Sequence, residues 1–478
     1  MKISGDNSMK SVWNFFDQIL TIPRPSKKEE KIKQFLLDFA QQHHLESKTD
    51  TAGNVLIIKP SSSDKTIVLQ SHMDMVCEKN SDINHNFDTD AIQSEIIGDW
   101  MHSKGTTLGA DNGIGMAIQL ALLADKSLSL PKLECLFTVD EETGLYGASN
   151  LDENLLSGTT LINLDSEEEG EFYIGCAGGM DTLATIEKEI EPTPENYFFF
   201  TVKISGLQGG HSGEDINKGK ANAIKLLSEY LQILQSKTDI RINTINGGNL
   251  RNAIPREAEA ILAVPYKDKE LIRVEINHFI STIENRYEET EQNIRFDLDS
   301  CEKIEMLLTK AVSDKLIDAL NNCPHGVIEM NDEIPTLVNT STNLAAIHTF
   351  DTYLFIETSQ RSAIEDKKRA IANIVSEVFR KAGANIEKGK DYPGWEPNFK
   401  SDILHVCISS YKLLFDKEPV VKVIHAGLEC GVIAKKYPHM DMISIGPTIL
   451  NPHSPSEKVQ ISSVEKCWNL LVHILKSV

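Results

Sequence analysis

Cysteine is sparse in this 478-residue chain and nowhere paired. Cys77, Cys135, Cys176, Cys301, Cys323, Cys407, Cys430 and Cys467 are scattered, with no CxxC among them. That excludes a disulfide framework and a thiolate zinc site, and it fits a reducing compartment, so a cytoplasmic location is expected. Basic residues are also in deficit: 48 Lys and Arg face 70 Asp and Glu, a formal net charge of −22. Such a surface repels phosphate backbones, which removes nucleic acid as an expected partner. No apolar run approaches the ~18 residues of a membrane span, and the first residues lack the charged-then-apolar layout of a secretory leader. What is present is globular in composition, 41% hydrophobic and 25% charged. A chain this long exceeds one ordinary core, so two domains are expected.

The first 180 residues alternate β-rich and helical runs, the pattern of an α/β sheet flanked by helices. Strands are expected at Val55–Lys59, Thr66–Gln70, Leu133–Val139 and Thr160–Leu164, with helices at Lys27–Gln42 and Gly113–Ala124. The same style resumes after residue 391. Between them, strand–turn–helix units at 197–235 and 352–382 suggest a separate α+β domain, built from two related halves. The expected organisation is therefore a catalytic domain in two parts, 1–180 and 391–478, with residues 181–390 inserted as a lid. A chain that leaves a domain and returns to it leaves a cleft, where ligands prefer to bind.

Five segments place acids or histidines just past strand or helix ends, where open α/β sheets carry chemistry. In TIVLQSHMDMV, His72 and Asp74 lie two apart, on one side of an extended chain, so Asp74 can hold the far nitrogen of a ligating His72. In TLGADNGIG, Asp111 opens a helix, either as a plain N-cap or as a carboxylate fixed to bridge cations. LECLFTVDEETG ends a buried strand in Asp140, Glu141 and Glu142. Adjacent residues of an extended chain face opposite ways, so one glutamate could ligate metal while the other serves as general base. TLINLDSEEEGE delivers Asp165; its Glu167–Glu169 run reads as an exposed face without chemistry. NPHSPSE pins His453 between prolines. Each segment alone could be surface or structure. Together they supply histidine nitrogens and carboxylate oxygens in the number two zinc ions require.

SHMDMV, GADNGIG, DEETG, NLDSEEEGE and NPHSPSE, in this order, resemble the aminoacylase-like di-zinc metallopeptidases. DEETGLYGA, GGHSGEDI, NAIPREAEA, SQRS and HAGLECG are most similar to the aminoacyl-histidine dipeptidase branch, and the resemblance spans positions 10 to 475. It implies a di-zinc aminopeptidase-like fold, with Asp111 as bridging carboxylate and a cis peptide after it. It assigns His72 and Asp165 to one metal, Glu142 and His453 to the other, Glu141 as general base and Asp74 as partner of the ligating histidine. In the lid it implies His211 as oxyanion stabiliser and Asn252, Arg361 and Gly427 as substrate-binding. His425 receives no role.

The expected reaction is hydrolysis of dipeptides, Xaa-His among them, by a zinc-bridging water that gives its proton to Glu141. Arg361 suits a substrate carboxylate, because a guanidinium fork pairs with it bidentately. Cobalt or manganese could occupy the same donors. An N-acyl-amino-acid deacylase or another exopeptidase would use identical residues, and a metal-dependent binding or scaffold protein would dispense with Glu141. A homodimer is compatible with the sequence but not required for catalysis.

Overall fold

The structure, a computed structural model, describes residues 7–331 and 337–478. It divides into two compact units. The first runs to Cys176 and resumes over Trp395–Val423 and Leu428–Val478; the second comprises Ala177–Gly394 with Ile424–Gly427. The four-residue excursion Ile424–Gly427 splits the HAGLECG segment, a feature with no signature in the sequence. No helix among the described residues is long and apolar enough to cross a membrane.

The first unit is built on an eight-stranded mixed sheet. Its order is Glu46–Thr49, Val55–Lys59, Lys132–Thr138, Thr66–His72, Thr160–Asn163, Asp441–Ser444, Glu171–Cys176 and Val420–Ile424. The four inner strands, Lys132–Thr138 through Asp441–Ser444, run parallel. Buried on both faces, they read as near-continuous apolar runs, as parallel strands do. Parallel direction also brings their carboxyl ends to one edge, which decides where the chemistry can stand. The strand expected to stop at Gln70 continues to His72, because Ser71 and His72 still pair with Phe137 and Thr138. Helix Ala110–Ala124 is buried from Ala110 to Leu123, so it reads as apolar all round rather than amphipathic. A small sheet adds the hairpin Ile449–Leu450 and Lys458–Gln460, whose connection carries His453.

The second unit holds a nine-stranded sheet whose registered pairs are all antiparallel. One group is ordered Arg295–Ser300, Tyr197–Ser205, Ala258–Pro265, Arg241–Gly247. The other is Val338–Thr349, Tyr353–Ser362, Gly178–Glu187, Asn385–Tyr392, with Gly326–Met330 also paired to Val338–Thr349. Gly247 against Ile347 is the registered pair that joins the groups. Each group carries one of the strand–turn–helix units read from the sequence, ending in helices Ala223–Gln235 and Glu365–Lys381. The first of these helices starts where the Asn222 side chain accepts from the Ile224 and Lys225 amides. It buries Ile224, Leu227, Leu231 and Leu234, at the three- and four-residue spacing of one helical face.

Candidate active site

Three parallel strand ends, one helix start and one hairpin loop converge in the first unit. His72, the last residue of its strand, is 1% exposed, and its Nε2 lies 2.9 Å from Asp111 Oδ1 and 3.4 Å from Asp165 Oδ1. The second oxygen of Asp111 faces His453 Nε2 at 3.0 Å, and that nitrogen is 3.1 Å from Glu142 Oε2. One carboxylate therefore joins two histidines, each with a further acid of its own. Ligand atoms of His72, Asp111 and Asp165 all lie within 4.8 Å of one another, as do those of Asp111, Glu142 and His453 and those of His72, Glu141 and Glu142.

Local backbone explains how each residue arrives. The helix N-cap is Gly109, in left-handed conformation, and Asp111 itself has extended ψ. Asp111 thus does not cap its helix, and its carboxylate is free for the histidines. The Asp111–Asn112 peptide is cis. Capping falls to Glu457, 2% exposed, whose two oxygens accept from the backbone amides of Leu108, Gly109, Ala110 and Asp111 at 2.7 to 3.3 Å. A carboxylate at a helix N-terminus is favoured by the dipole as well as by these bonds. Since Glu457 stands four residues after His453, it ties the hairpin loop to the loop of Asp111.

Arg24, 1% exposed, braces the other side. It donates to the carbonyls of Met73 and Asp74 at 3.1 and 2.6 Å and to that of Gly109 at 2.5 Å. A Cβ on Gly109 would stand 2.7 Å from this guanidinium, and the residue has φ +71°, so glycine is required there twice over.

Glu141 and Glu142 do not sit in extended backbone, as alternation would have had them. Asp140 adopts φ +48°, the chain turns, and both following amides donate to Asp74, at 3.0 Å from Glu141 and 3.2 Å from Glu142. Ser26 Oγ donates to the same carboxylate at 2.8 Å. Asp74 Oδ1 also lies 3.4 Å from His72 Nδ1, an ion-pair distance without a formed hydrogen bond, so one aspartate stands between the histidine and both glutamates. Asp165 is fixed by the Asn112 side-chain amide, which donates to its Oδ1.

The electrostatics are those of a site short of positive charge. Burial raises the Glu141 carboxyl well above its ordinary value; His72 opposes this, and Asp165 and Glu142 add to it. Burial would lower His72, but Asp165, Asp111 and Asp74 together hold it well above the usual imidazole value. Asp111 and Glu142 push His453 up to about 11. Glu142 Oε1 is buried without a partner. Converging acids with so few cations, and an orphan oxygen among them, fit a donor set made for metal ions.

The sequence reading of the Glu167–Glu169 run is corrected here. Only Glu168 is exposed. The Glu167 carboxyl is pushed up to about 9 by burial and then by Asp111 and Asp165, and Glu169 accepts from Tyr411 Oη and Lys466 Nζ. Sequence reasoning also passed over Arg24, Glu457 and the fully buried Glu429. Glu429 Oε2 accepts from Gln70 Nε2 at 2.5 Å and Thr138 Oγ1 at 2.8 Å beneath the strand ends. The spacing of NPHSPSE from TLGAD carries no hint that a glutamate in one caps the helix begun by the other.

The remaining candidates lie in the second unit. The His211 amide donates to Asp215 at 2.8 Å; burial, then Arg361, lower the His211 imidazole. Asn252 is exposed at the chain reversal before Ala253, the residue that pairs with His211, and its carbonyl accepts from the Ser212 amide. Arg361 is 4% exposed and donates from Nη1 to Tyr392 Oη at 3.0 Å. Gly427 packs against the same tyrosine ring.

Solved structures share this fold. The aminoacylhistidine dipeptidase of Vibrio alginolyticus superposes with a TM-score of 0.92 at 40% identity, covering 98% of this chain and 96% of that one. An aminopeptidase from Bacillus cereus matches with a TM-score of 0.58 at 17% identity, covering 98% of both, a likeness of fold alone. In sequence, the chain is 42% identical to the cytosol non-specific dipeptidase of Escherichia coli over 475 residues, 98% of each protein. The pattern of peptidase family M20/M25/M40 matches residues 68–477, every one of the converging acids and histidines included, and the chain belongs to that family.

Proposed function

We propose that this chain is a metal-dependent dipeptidase acting on unblocked dipeptides, those ending in histidine among them. The observation that carries the reading is Asp111, whose two oxygens face His72 and His453, with the half-buried Glu141 close to His72 and Glu142. His72 and Asp165 would hold one zinc ion, Glu142 and His453 a second, and Asp111 both. Cobalt or manganese would suit the same donors. Bound there, the metal pair supplies a Lewis acid and a water acidic enough to ionise near neutrality.

The chain's own residues do the rest. Glu141 takes the proton of the attacking water and returns it to the leaving amine; a carboxylate whose proton affinity is raised is the better base. Asp74 holds His72 by its far nitrogen and the Glu141–Glu142 turn by its amides, so the base and the ligands keep their places together. His211 stabilises the oxyanion in this reading, Asn252 and Arg361 take the substrate's terminal carboxylate, and the backbone around Gly427 faces the substrate. Requiring that carboxylate one residue past the cut limits substrates to dipeptides. The relatives from Escherichia coli and Vibrio alginolyticus are named for dipeptidase activity, which supports the substrate class and, for the former, a cytosolic location. A homodimer, where it forms, is not needed for the chemistry.

Purified, zinc-loaded protein assayed on dipeptides, N-acetyl amino acids and tripeptides tests the proposal. Dipeptides should be cleaved, Xaa-His among the best. Preference for N-acetyl amino acids would make it a deacylase instead, and silence on all three classes would leave a binding protein.

A further inference from the structure

Arg361 stands in a row that crosses four strands of the second unit. Register places Ser341 opposite Arg361, Arg361 opposite Gly179, and Gly179 opposite Tyr392. Residues in such a row share one face of the sheet and touch across it. The missing side chain of Gly179 is what lets Tyr392 reach across to Arg361: a Cβ there would lie 2.5 Å from the Tyr392 ring. The ring lies over the glycine, and its Oη accepts from Arg361 Nη1 at 3.0 Å.

The tyrosine is held from behind. Lys368, fully buried, donates to the Tyr392 carbonyl and to Asp391, both at 2.7 Å, which occupies the neighbouring acid. On the ring's other side a Cβ on Gly427 would stand 2.9 Å away. Beyond Arg361, Ser341 Oγ lies 2.7 Å from His425 Nε2. Burial, and then Arg361 and His211, lower the His425 imidazole to about 3, so it adds no charge.

Arg361 is a buried cation without a counter-ion. No carboxylate forms an ion pair with it among the described residues, and its Nε is buried without a partner. A charge so placed is costly unless an anion completes it. Tyr392 uses its oxygen as acceptor toward Arg361, which leaves its own O–H proton to donate, and the described residues offer it no acceptor.

We propose that Tyr392 is a specificity residue of the carboxylate receptor, locking the Arg361 guanidinium across Gly179 and donating its O–H to the same substrate carboxylate. This rests on the dipeptidase reading, in which Arg361 takes the substrate's free C-terminus.

The test is binding calorimetry on the metal-loaded full chain. The probes are a dipeptide whose scissile amide is replaced by methylene-amine and the C-terminal carboxamide of that compound. Tyr392→Phe keeps the ring over Gly179 and Gly427 and removes the hydroxyl alone. It should weaken the acid by about tenfold or more, the worth of one hydrogen bond to a charged group, and leave the carboxamide unchanged. In turnover the same variant should raise KM by a similar factor with kcat little altered. Gly179→Ala, which displaces the ring, should do the same. Equal losses for acid and carboxamide, or none, would overturn the proposal, as would a wild type that binds the two equally. If the variant narrows the acid preference while no dipeptide is hydrolysed, the dipeptidase reading fails and the receptor stands.

Discussion

The two units set out their polar groups on different plans. In the first, every group that converges on Asp111 stands at or just past the end of a parallel strand, at a helix start or in a hairpin loop. In the second, Arg361 and Tyr392 belong to strands on either side of Gly178–Glu187 and meet across its glycine. A parallel sheet aligns its carboxyl ends, so a site there needs only short motifs that follow strands. An antiparallel sheet offers cross-strand rows instead, and a row is assembled from residues far apart in sequence: Gly179, Ser341, Arg361 and Tyr392 span over two hundred positions.

Charge follows the plans. The first unit gathers acids around two histidines, an arrangement that calls for cations. The second buries a guanidinium beside two imidazoles lowered by burial and by that guanidinium, an arrangement that calls for an anion. Experiments that load each plan separately can break the contrast.

The largest effect is expected at Glu141. Glu141→Gln should lower kcat by about 10²–10⁴-fold, the usual worth of a positioned base, while elemental analysis still finds two metal equivalents per chain. Retained turnover would remove the base from the mechanism. A smaller effect belongs to Asp74, which in the proposed reading orients His72 without ligating metal. Asp74→Ala should weaken metal affinity by about 10–100-fold, as loss of such a partner does, and His72→Ala should weaken it further. Competition with a chelator ranks the two variants, and the reverse order would make Asp74 a ligand.

The smallest effect tests the second unit alone. His325 Nδ1 accepts from the Leu344 amide at 3.3 Å, and burial, then Lys225, push its imidazole down to about 3. Folded, it stays neutral; unfolded, it takes a proton near 6.5. Its contribution to stability is therefore whole above pH 6.5 and declines as pH falls from there toward 3, by about 1.4 kcal/mol per pH unit. Thermal melts from pH 7 to 5 should include that slope, and His325→Gln should reduce it by about 1.4 kcal/mol per pH unit, leaving the like contribution of His425. An unchanged slope in the variant would assign the acid sensitivity elsewhere.

Motifs that follow strands were legible because strand ends and acids are neighbours in the chain. SHMDMV, VDEETG and NLDS each show an apolar run stopping at a polar group, and the structure brings His72, Glu142 and Asp165 to one edge. The turn at Asp140 was hidden, since nothing in DEE announces a positive φ at an aspartate. The half-burial of Glu167 was hidden too, because an acidic run looks the same whether or not other acids converge beside it.

By itself, the sequence determined the inner strands, the helix that follows Asp111, and the supply of two histidines with their acids. These depend on local periodicity and on residues a few positions apart. Tertiary structure alone decided that Glu457 caps the helix of Asp111, that Arg24 braces the same loop, and that Tyr392 reaches Arg361 over Gly179. Each of those contacts joins segments between roughly 30 and 350 residues apart. Their partners are chosen by sheet order and register, which a linear pattern does not encode.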